Sequence, residues 1–81
     1  MQVTVLLFAQ ARDRAGTGRV VLDLAPGSRV RDLVAQLTDR HPGLDVLGAH
    51  LAIAVDGELV ERDAPLADGA EVAMLPPVSG G

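Results

Sequence analysis

The sequence predicts an α+β fold of two layers, in which a mixed sheet of four to five strands packs on one main helix. Three observations support this prediction. Five short stretches alternate or concentrate apolar residues as β-strands do, one longer stretch repeats them at helical spacing, and proline or glycine separates most of them. Because a single helix can cover only one face of a sheet, the order β-β-α-β-β-β predicts that the opposite face lies open.

The first two strands are predicted at residues 2–9 and 19–25. In the first strand the odd-numbered residues from Val3 are apolar, whereas the even-numbered residues change from polar to apolar toward its end. Residues 10–18 are predicted to form a polar loop. Since this loop is short for a crossover connection, the two strands should be antiparallel neighbours.

A helix is predicted at residues 29–40, with Ser28 as its N-cap and Asp32 in the first turn, where negative charge is favoured. Its end is predicted at His41-Pro42-Gly43, because a residue before proline is disfavoured in helical conformation. The helix should join the second strand to the third as a right-handed crossover. Its apolar stripe consists of Val30, Leu33, Val34 and Leu37.

The remaining strands are predicted at residues 51–55, 58–60 and 71–75, after an irregular segment at residues 44–50. Asp56-Gly57 is a strong signal for a two-residue hairpin turn. A mixed sheet wrapped around one helix in this order is the β-grasp architecture of ubiquitin. We therefore predict a single β-grasp domain over residues 1–75.

Composition narrows the classes of function. The chain has 81 residues, 48% of them hydrophobic, and a net charge of −4, which favours a folded domain and disfavours binding to nucleic acid. No apolar run approaches the ~20 residues of a membrane span, and the first residues lack a basic secretory signal. All seven cations are arginines and there is no cysteine. His41 and His50 lack the neighbours of a metal site or a catalytic triad, so no metal is expected.

Residues 76–81 are predicted to form a flexible tail. Two prolines end the last strand, because proline fixes φ and has no amide hydrogen, and two glycines leave the tip without a Cβ atom. Fully extended, six residues reach about 20 Å, enough to enter the active site of another protein. The Gly81 carboxylate is the only reactive group of the tail, which consists of Pro76, Pro77, Val78, Ser79, Gly80 and Gly81. An inert frayed terminus is the alternative interpretation.

Several motifs carry a resemblance to a known family. They are Leu7-Phe8-Ala9-Gln10 followed by Arg12 and Gly16, Ala54-Val55, the stretch from Pro65 to Val72, and the ending Pro-Pro-Val-Ser-Gly-Gly at 76–81. With these motifs the whole chain resembles the small subunit of molybdopterin synthase, a family of cytoplasmic β-grasp sulfur carriers. The ending is the most specific of the motifs.

The resemblance implies a mechanism in which the chain is a covalent substrate with no cofactor bound to it. An adenylating enzyme would use Mg-ATP to convert the Gly81 carboxylate into an acyl-adenylate, and a sulfur donor protein would then convert it into a thiocarboxylate. The tail would insert into the large synthase subunit and give its sulfur to the pterin precursor. The resemblance further implies a heterotetramer of two small and two large chains.

The open face of the predicted sheet offers a surface for a protein partner. Its apolar residues form a group beside the tail that is too large for incidental surface, although a second small core under the long loops would also explain them. The only aromatic residue of the chain, Phe8, is the expected anchor. The predicted interface residues are Leu6, Phe8, Leu59, Ala73 and Leu75.

Three other functions remain open from the sequence. A sulfur carrier of thiazole synthesis for thiamin would share the fold, the tail and the activation chemistry, although the Pro-Pro-Val-Ser stretch favours the pterin pathway. A protein modifier would be conjugated through Gly81 to a lysine of its target. An interaction module with an inert tail would use only the open face.

Overall fold

The computed structural model describes residues 1–76, apart from the side chain of Ala49, and shows five strands and two α-helices in that range. The predictions for residues 77–81, including the flexible tail, lie outside the described residues. Two short 3₁₀ turns, at Pro42–Val46 and Gly48–His50, occupy the segment that was predicted to be irregular. The strands and α-helices are β1 (Gln2–Leu7), α1 (Ala9–Ala15), β2 (Arg19–Asp23), α2 (Val30–Arg40), β3 (Ala52–Val55), β4 (Glu58–Val60) and β5 (Glu71–Leu75).

The strands form one mixed sheet in the order β2-β1-β5-β3-β4. Strand β1 is antiparallel to β2 and parallel to β5, and β5 is antiparallel to β3. The first two strands are thus antiparallel neighbours as predicted, and the predicted mixed α+β architecture is confirmed. The first and last strands of the chain lie side by side in the middle of the sheet, which places the start of α1 near the end of β5.

One face of the sheet packs on α2 and forms the core of the domain. Alternate residues of β1 and β5 point to this face, and the apolar stripe of α2 covers them. The side chains with no exposed surface come from five different elements, including Ala11 of α1, which ties three strands and both helices into one unit. They include Val5, Leu22, Val30, Leu33, Leu37 and Val72.

The start of α2 corrects the predicted cap. Arg29, not Ser28, occupies the N-cap position, and the Ser28 hydroxyl donates to a backbone carbonyl at 2.7 Å. The Asp32 carboxylate accepts the Arg29 amide hydrogen at 2.7 Å, as its place in the first turn suggested. The first two amide groups of the helix donate to carbonyl groups in the segment 62–64, at 2.8 and 3.0 Å. A distant loop therefore satisfies donors that a local side chain was expected to satisfy.

Helix α1 was missed by the sequence prediction, which assigned a polar loop to residues 10–18 and extended β1 to residue 9. The segment is rich in alanine and arginine, which favour helix, and it ends at Gly16 in the left-handed conformation (φ 77°). Only Ala11 is fully buried in this helix. Because one buried alanine gives no apolar stripe, hydrophobic periodicity could not reveal the helix, although its composition and terminal glycine could have.

Gly43 allows α1 to pack closely against the turn at Pro42–Val46. A Cβ atom at this position would lie 2.8 Å from the carbonyl oxygen of Arg14, closer than side-chain carbons come to backbone atoms. The sequence predicted Gly43 only as part of the end of the preceding helix. In the structure its missing side chain permits a close backbone approach.

The predicted hairpin at Asp56-Gly57 is confirmed. Both residues have positive φ, at 49° and 88°, which the tight turn between β3 and β4 requires. Asp56 also ties the turn to β5: its amide donates to the Glu71 carbonyl at 2.8 Å, and its carboxylate accepts the Glu71 amide hydrogen at 3.0 Å. The turn thereby fixes the start of the strand that leads to the C-terminus.

Candidate partner interface

A row of four apolar side chains crosses the open face of the sheet. Strand register places Leu6 of β1 opposite Ala73 of β5, Ala73 opposite Ala54 of β3, and Ala54 opposite Leu59 of β4. Leu6 and Ala73 are half-buried, and Leu59 is 72% exposed. The structure thus brings three of the five predicted interface residues into one row. Sequence reasoning missed Ala54, although strict alternation with Ile53 in β3 could have assigned it to this face.

Phe8 and Leu75 extend this surface at one end of the sheet. Leu75 is half-buried and lies opposite Ala52. Phe8 follows directly after the pairing of Leu7 with Met74, and its extended backbone (φ −118°, ψ 152°) continues the alternation of β1. The Phe8 side chain is 46% exposed. We call the surface of Leu6, Phe8, Ala73, Leu75 and Leu59 the apolar face.

The backbone turns sharply after Phe8. Ala9 has a φ of 48°, the left-handed region, which costs a residue other than glycine on the order of 1 kcal/mol. This turn ends β1 and starts α1. Phe8 is therefore the last extended residue of the strand, at the corner between the sheet and α1.

The C-terminal segment begins at the same end of the sheet. Because β5 is parallel to β1 and antiparallel to β3, its last residue lies beside the end of β1 and the beginning of β3. Pro76 follows, half-buried, as the last described residue. The predicted site residues Pro77, Val78, Ser79, Gly80 and Gly81 lie outside the described range. Their point of departure is nevertheless adjacent to Phe8 and Leu75.

A groove of about 390 Å³ lies where β3 begins and β4 ends. Beside it, the Arg62 guanidinium donates to the carbonyl oxygens of Leu51 (2.8 Å) and Gly48 (3.3 Å). These bonds hold the second 3₁₀ turn at the start of β3, next to the pairing partner of Leu75. The groove is lined by Leu51, Ala52, Ile53, Leu59, Val60, Glu61 and Arg62.

The two histidines lie in connecting segments and not on the strands of the apolar face. His41 is the C-cap of α2, where its amide donates to the Leu37 carbonyl at 2.9 Å, and His50 is an exposed residue of the second 3₁₀ turn. Within residues 1–76, no three histidine, aspartate or glutamate side chains are grouped to hold a metal ion. In the same range no helix has the length and apolar character to cross a membrane.

The fold and the apolar face define a small β-grasp protein whose C-terminal segment leaves the sheet at one end of this exposed face. Comparison with known proteins gives the particular family. Residues 5–81 match the ThiS family, and the chain belongs to this family.

Curated relatives align over almost the whole chain. The sequence is 40% identical to the molybdopterin synthase sulfur carrier subunit of Chlamydomonas reinhardtii, with 100% of both chains covered. It is 41% identical to the protein of the same name from Escherichia coli, covering 98% of this chain and 99% of the relative. The resemblance inferred from the sequence motifs is confirmed.

Solved structures confirm the ubiquitin-like β-grasp fold. The chain matches SAMP1 of Haloferax volcanii with a TM-score of 0.90 and 31% identity over 100% of both chains. It also matches a chain in the complex of subunits 1 and 2 of the molybdopterin-converting factor of Helicobacter pylori. That match has a TM-score of 0.74 and 28% identity, again over 100% of both chains.

Proposed function

We propose that this protein is the sulfur carrier subunit of a molybdopterin synthase. The observation that carries the proposal is the position of the apolar face, whose Phe8 and Leu75 lie where the C-terminal segment leaves the sheet. A partner that covers this face would have the terminal Gly80-Gly81 within reach, because the six-residue tail starts beside it. The names of the curated relatives favour the pterin pathway over thiazole synthesis.

The chemistry would begin at the Gly81 carboxylate, which is a poor acyl donor until it is activated. In an adenylating enzyme this carboxylate attacks the α-phosphorus of Mg-ATP, pyrophosphate leaves, and an acyl-adenylate forms. The terminal sulfur of a persulfide donor then attacks the acyl carbon and AMP leaves. A thiol supplies the two electrons that cleave the remaining sulfur–sulfur bond, and the chain ends in a thiocarboxylate.

The large subunit would then take the loaded tail. Glycines at positions 80 and 81 allow the tail to pass a narrow channel, because no Cβ atom obstructs it or restricts the backbone. Residues 76–81 carry no charged side chain, so the cations and acid–base groups for sulfur transfer would come from the large subunit. Two loaded carriers supply one dithiolene, which fits an assembly of two small and two large chains.

The apolar face would be the docking surface for the large subunit. Aromatic side chains at the centre of an interface contribute a large share of the binding energy, and Phe8 is the only aromatic residue here. The similarity to a chain in the H. pylori complex of subunits 1 and 2 supports a second subunit as the partner. Ala54, in the middle of the row of outer-face residues, is only 8% exposed and adds little contact area.

The proposal is tested by loading the carrier and then removing its last residue. With an activating enzyme, ATP and sulfide, intact mass should rise by the difference between one sulfur and one oxygen atom. Deleting Gly81, or adding one residue after it, should abolish both loading and dithiolene formation. The far-UV circular dichroism should stay unchanged, because residue 81 follows the last strand by several positions. Dithiolene formation by the shortened carrier would contradict the proposal.

Conjugation to other proteins is a second candidate, favoured by the similarity to a small archaeal modifier protein, SAMP1. Both functions begin with the same adenylate and differ in the acceptor, which is a sulfur donor in one and a target lysine in the other. Peptide mass spectrometry after activation in the presence of candidate targets separates them. Lysine residues bearing the C-terminal glycines would support the modifier. A thiocarboxylate with no such linkage supports the carrier.

A further inference from the structure

Strand β2 forms one edge of the sheet. Its hydrogen bonds to β1 determine which of its residues direct their backbone amide and carbonyl groups away from the sheet. The Leu24 amide donates to the Met1 carbonyl at 2.8 Å, and the Leu7 amide donates to the Gly18 carbonyl at 3.0 Å. In an antiparallel ladder, hydrogen-bonded pairs alternate along the strand. The even-numbered residues of β2 therefore bond to β1, and its odd-numbered residues point their amide and carbonyl groups outward.

The outward residues Arg19, Val21 and Asp23 have a pattern that complements itself. Their side chains lie on the same face of the sheet, with a cation at one end, an exposed valine in the middle and an anion at the other end. We propose that β2 pairs with β2 of a second copy of this chain, antiparallel and centred on Val21. Each Arg19 would then lie opposite Asp23 of the second copy, and the two Val21 side chains would meet on the two-fold axis.

Hydrogen bonding and charge pairing select the same register. The odd-numbered residues 19, 21 and 23 direct their amide and carbonyl groups outward. A two-fold axis at Val21 places these same residues opposite one another. A shift by one residue would set inward-bonding residues against outward-bonding ones and would separate the charges. The other edge strand, β4, has only three residues, Glu58–Val60, and no cation to complement Glu58. Self-pairing is therefore assigned to β2.

Two side chains compete with this pairing. The Thr17 hydroxyl donates to the Arg19 carbonyl at 3.1 Å and accepts the Arg19 amide hydrogen at 3.3 Å, and the Gln36 amide donates to the Asp23 carbonyl at 3.1 Å. These exposed bonds would be exchanged for bonds between the two copies. Because that exchange lowers the net gain and a five-residue strand buries less than a standard interface, the dimer should be weak and reversible.

The pairing goes beyond the proposed sulfur-carrier function and leaves its site accessible. Pairing at the edge covers neither face of the sheet, and strand β1 separates β2 from β5, at whose end the C-terminal segment leaves the sheet. In the dimer the two open faces would continue side by side in a sheet of ten strands. Deleting Gly81 should leave self-association unchanged, so a failure of either proposal is recognisable separately.

Charge exchange at the paired edge provides the test. Sedimentation of the full chain from ~10 μM to ~1 mM should show reversible dimerisation of the unmodified protein. Arg19→Asp and Asp23→Arg each place like charges opposite one another at two positions, and each should weaken association by about tenfold or more. The double variant should restore it. An equimolar mixture of the two single variants should form a heterodimer, because both cross-strand contacts then pair opposite charges.

Matched controls distinguish the effect of a charge at the β2 edge from the effect of the net charge of the chain. Arg31→Asp and Asp39→Arg make the same changes in net charge on the exposed side of α2, and both should dimerise like the unmodified protein. In dimerising samples, amide chemical-shift changes should centre on residues 19–23. An unmodified chain that stays monomeric throughout this concentration range overturns the proposal. So does self-association that is equal in all charge variants.

Discussion

The two faces of the sheet use the same strands for different purposes. On the inner face, Val3, Val5 and Leu7 of β1 are buried against the core, with Leu7 only 3% exposed. One residue further on, Phe8 is 46% exposed, and its neighbour on the outer face, Leu6, is half-buried. Both sets are apolar, so residue type does not distinguish them. The difference lies in what covers them, because α2 packs on the inner face only.

This comparison assigns different consequences to neighbouring residues. A change on the inner face should act on folding, since it removes contacts that exist in the lone domain. A change on the outer face should act on association, since its contacts form only with a partner. Adjacent residues at the end of β1 offer the sharpest test, because chain position is almost the same and only the face changes.

The largest expected effect is that of Leu7→Ala on the inner face. Truncating this buried side chain should lower the free energy of unfolding by about 2–5 kcal/mol, because transfer energy is lost and a cavity remains. Urea unfolding of the isolated domain measures the change. A loss below ~1 kcal/mol would mean that the inner face is less tightly packed than its burial indicates.

Phe8→Ala should have the next largest effect, on binding. Loss of the aromatic anchor should weaken affinity for the large subunit by on the order of 2 kcal/mol or more. The free energy of unfolding of the lone domain should change much less. Calorimetry with the large subunit and urea unfolding of the carrier provide the two values. A loss of ~3–5 kcal/mol in the lone domain, as for a core phenylalanine, would assign Phe8 to the fold instead.

Leu59→Ala should have the smallest effect and marks the margin of the apolar face. This side chain is 72% exposed on a three-residue edge strand, so the free energy of unfolding should stay within ~0.5 kcal/mol of the unmodified value. Its affinity for the large subunit should fall by less than that of Phe8→Ala. If Leu59→Ala weakens binding more than Phe8→Ala, the centre of the interface lies toward β4 rather than at the end of β1.

Local patterns in the sequence determined most of the sheet and the covering helix. Alternation in β1 and β5 predicted the buried residues correctly, and the stripe from Val30 to Leu37 predicted the face of α2 that packs on them. Asp56-Gly57 determined the hairpin, because few residue pairs adopt positive φ at two successive positions. Each of these features is encoded within a few neighbouring residues. The apolar composition of the open face was predictable for the same reason.

Other features depended on residues that are distant in sequence, and only the tertiary structure decided them. The N-cap of α2 is Arg29 and not Ser28, and carbonyl groups of the segment 62–64 accept the first amide hydrogens of the helix. Helix α1 is short and buries one alanine. Because Gly43 has no side chain, the turn at Pro42–Val46 can approach the backbone of α1 closely. Periodicity reports which way a side chain points within its own element. It carries no information on which backbone group another part of the chain will place beside it, and that placement fixed the helix ends and packing here.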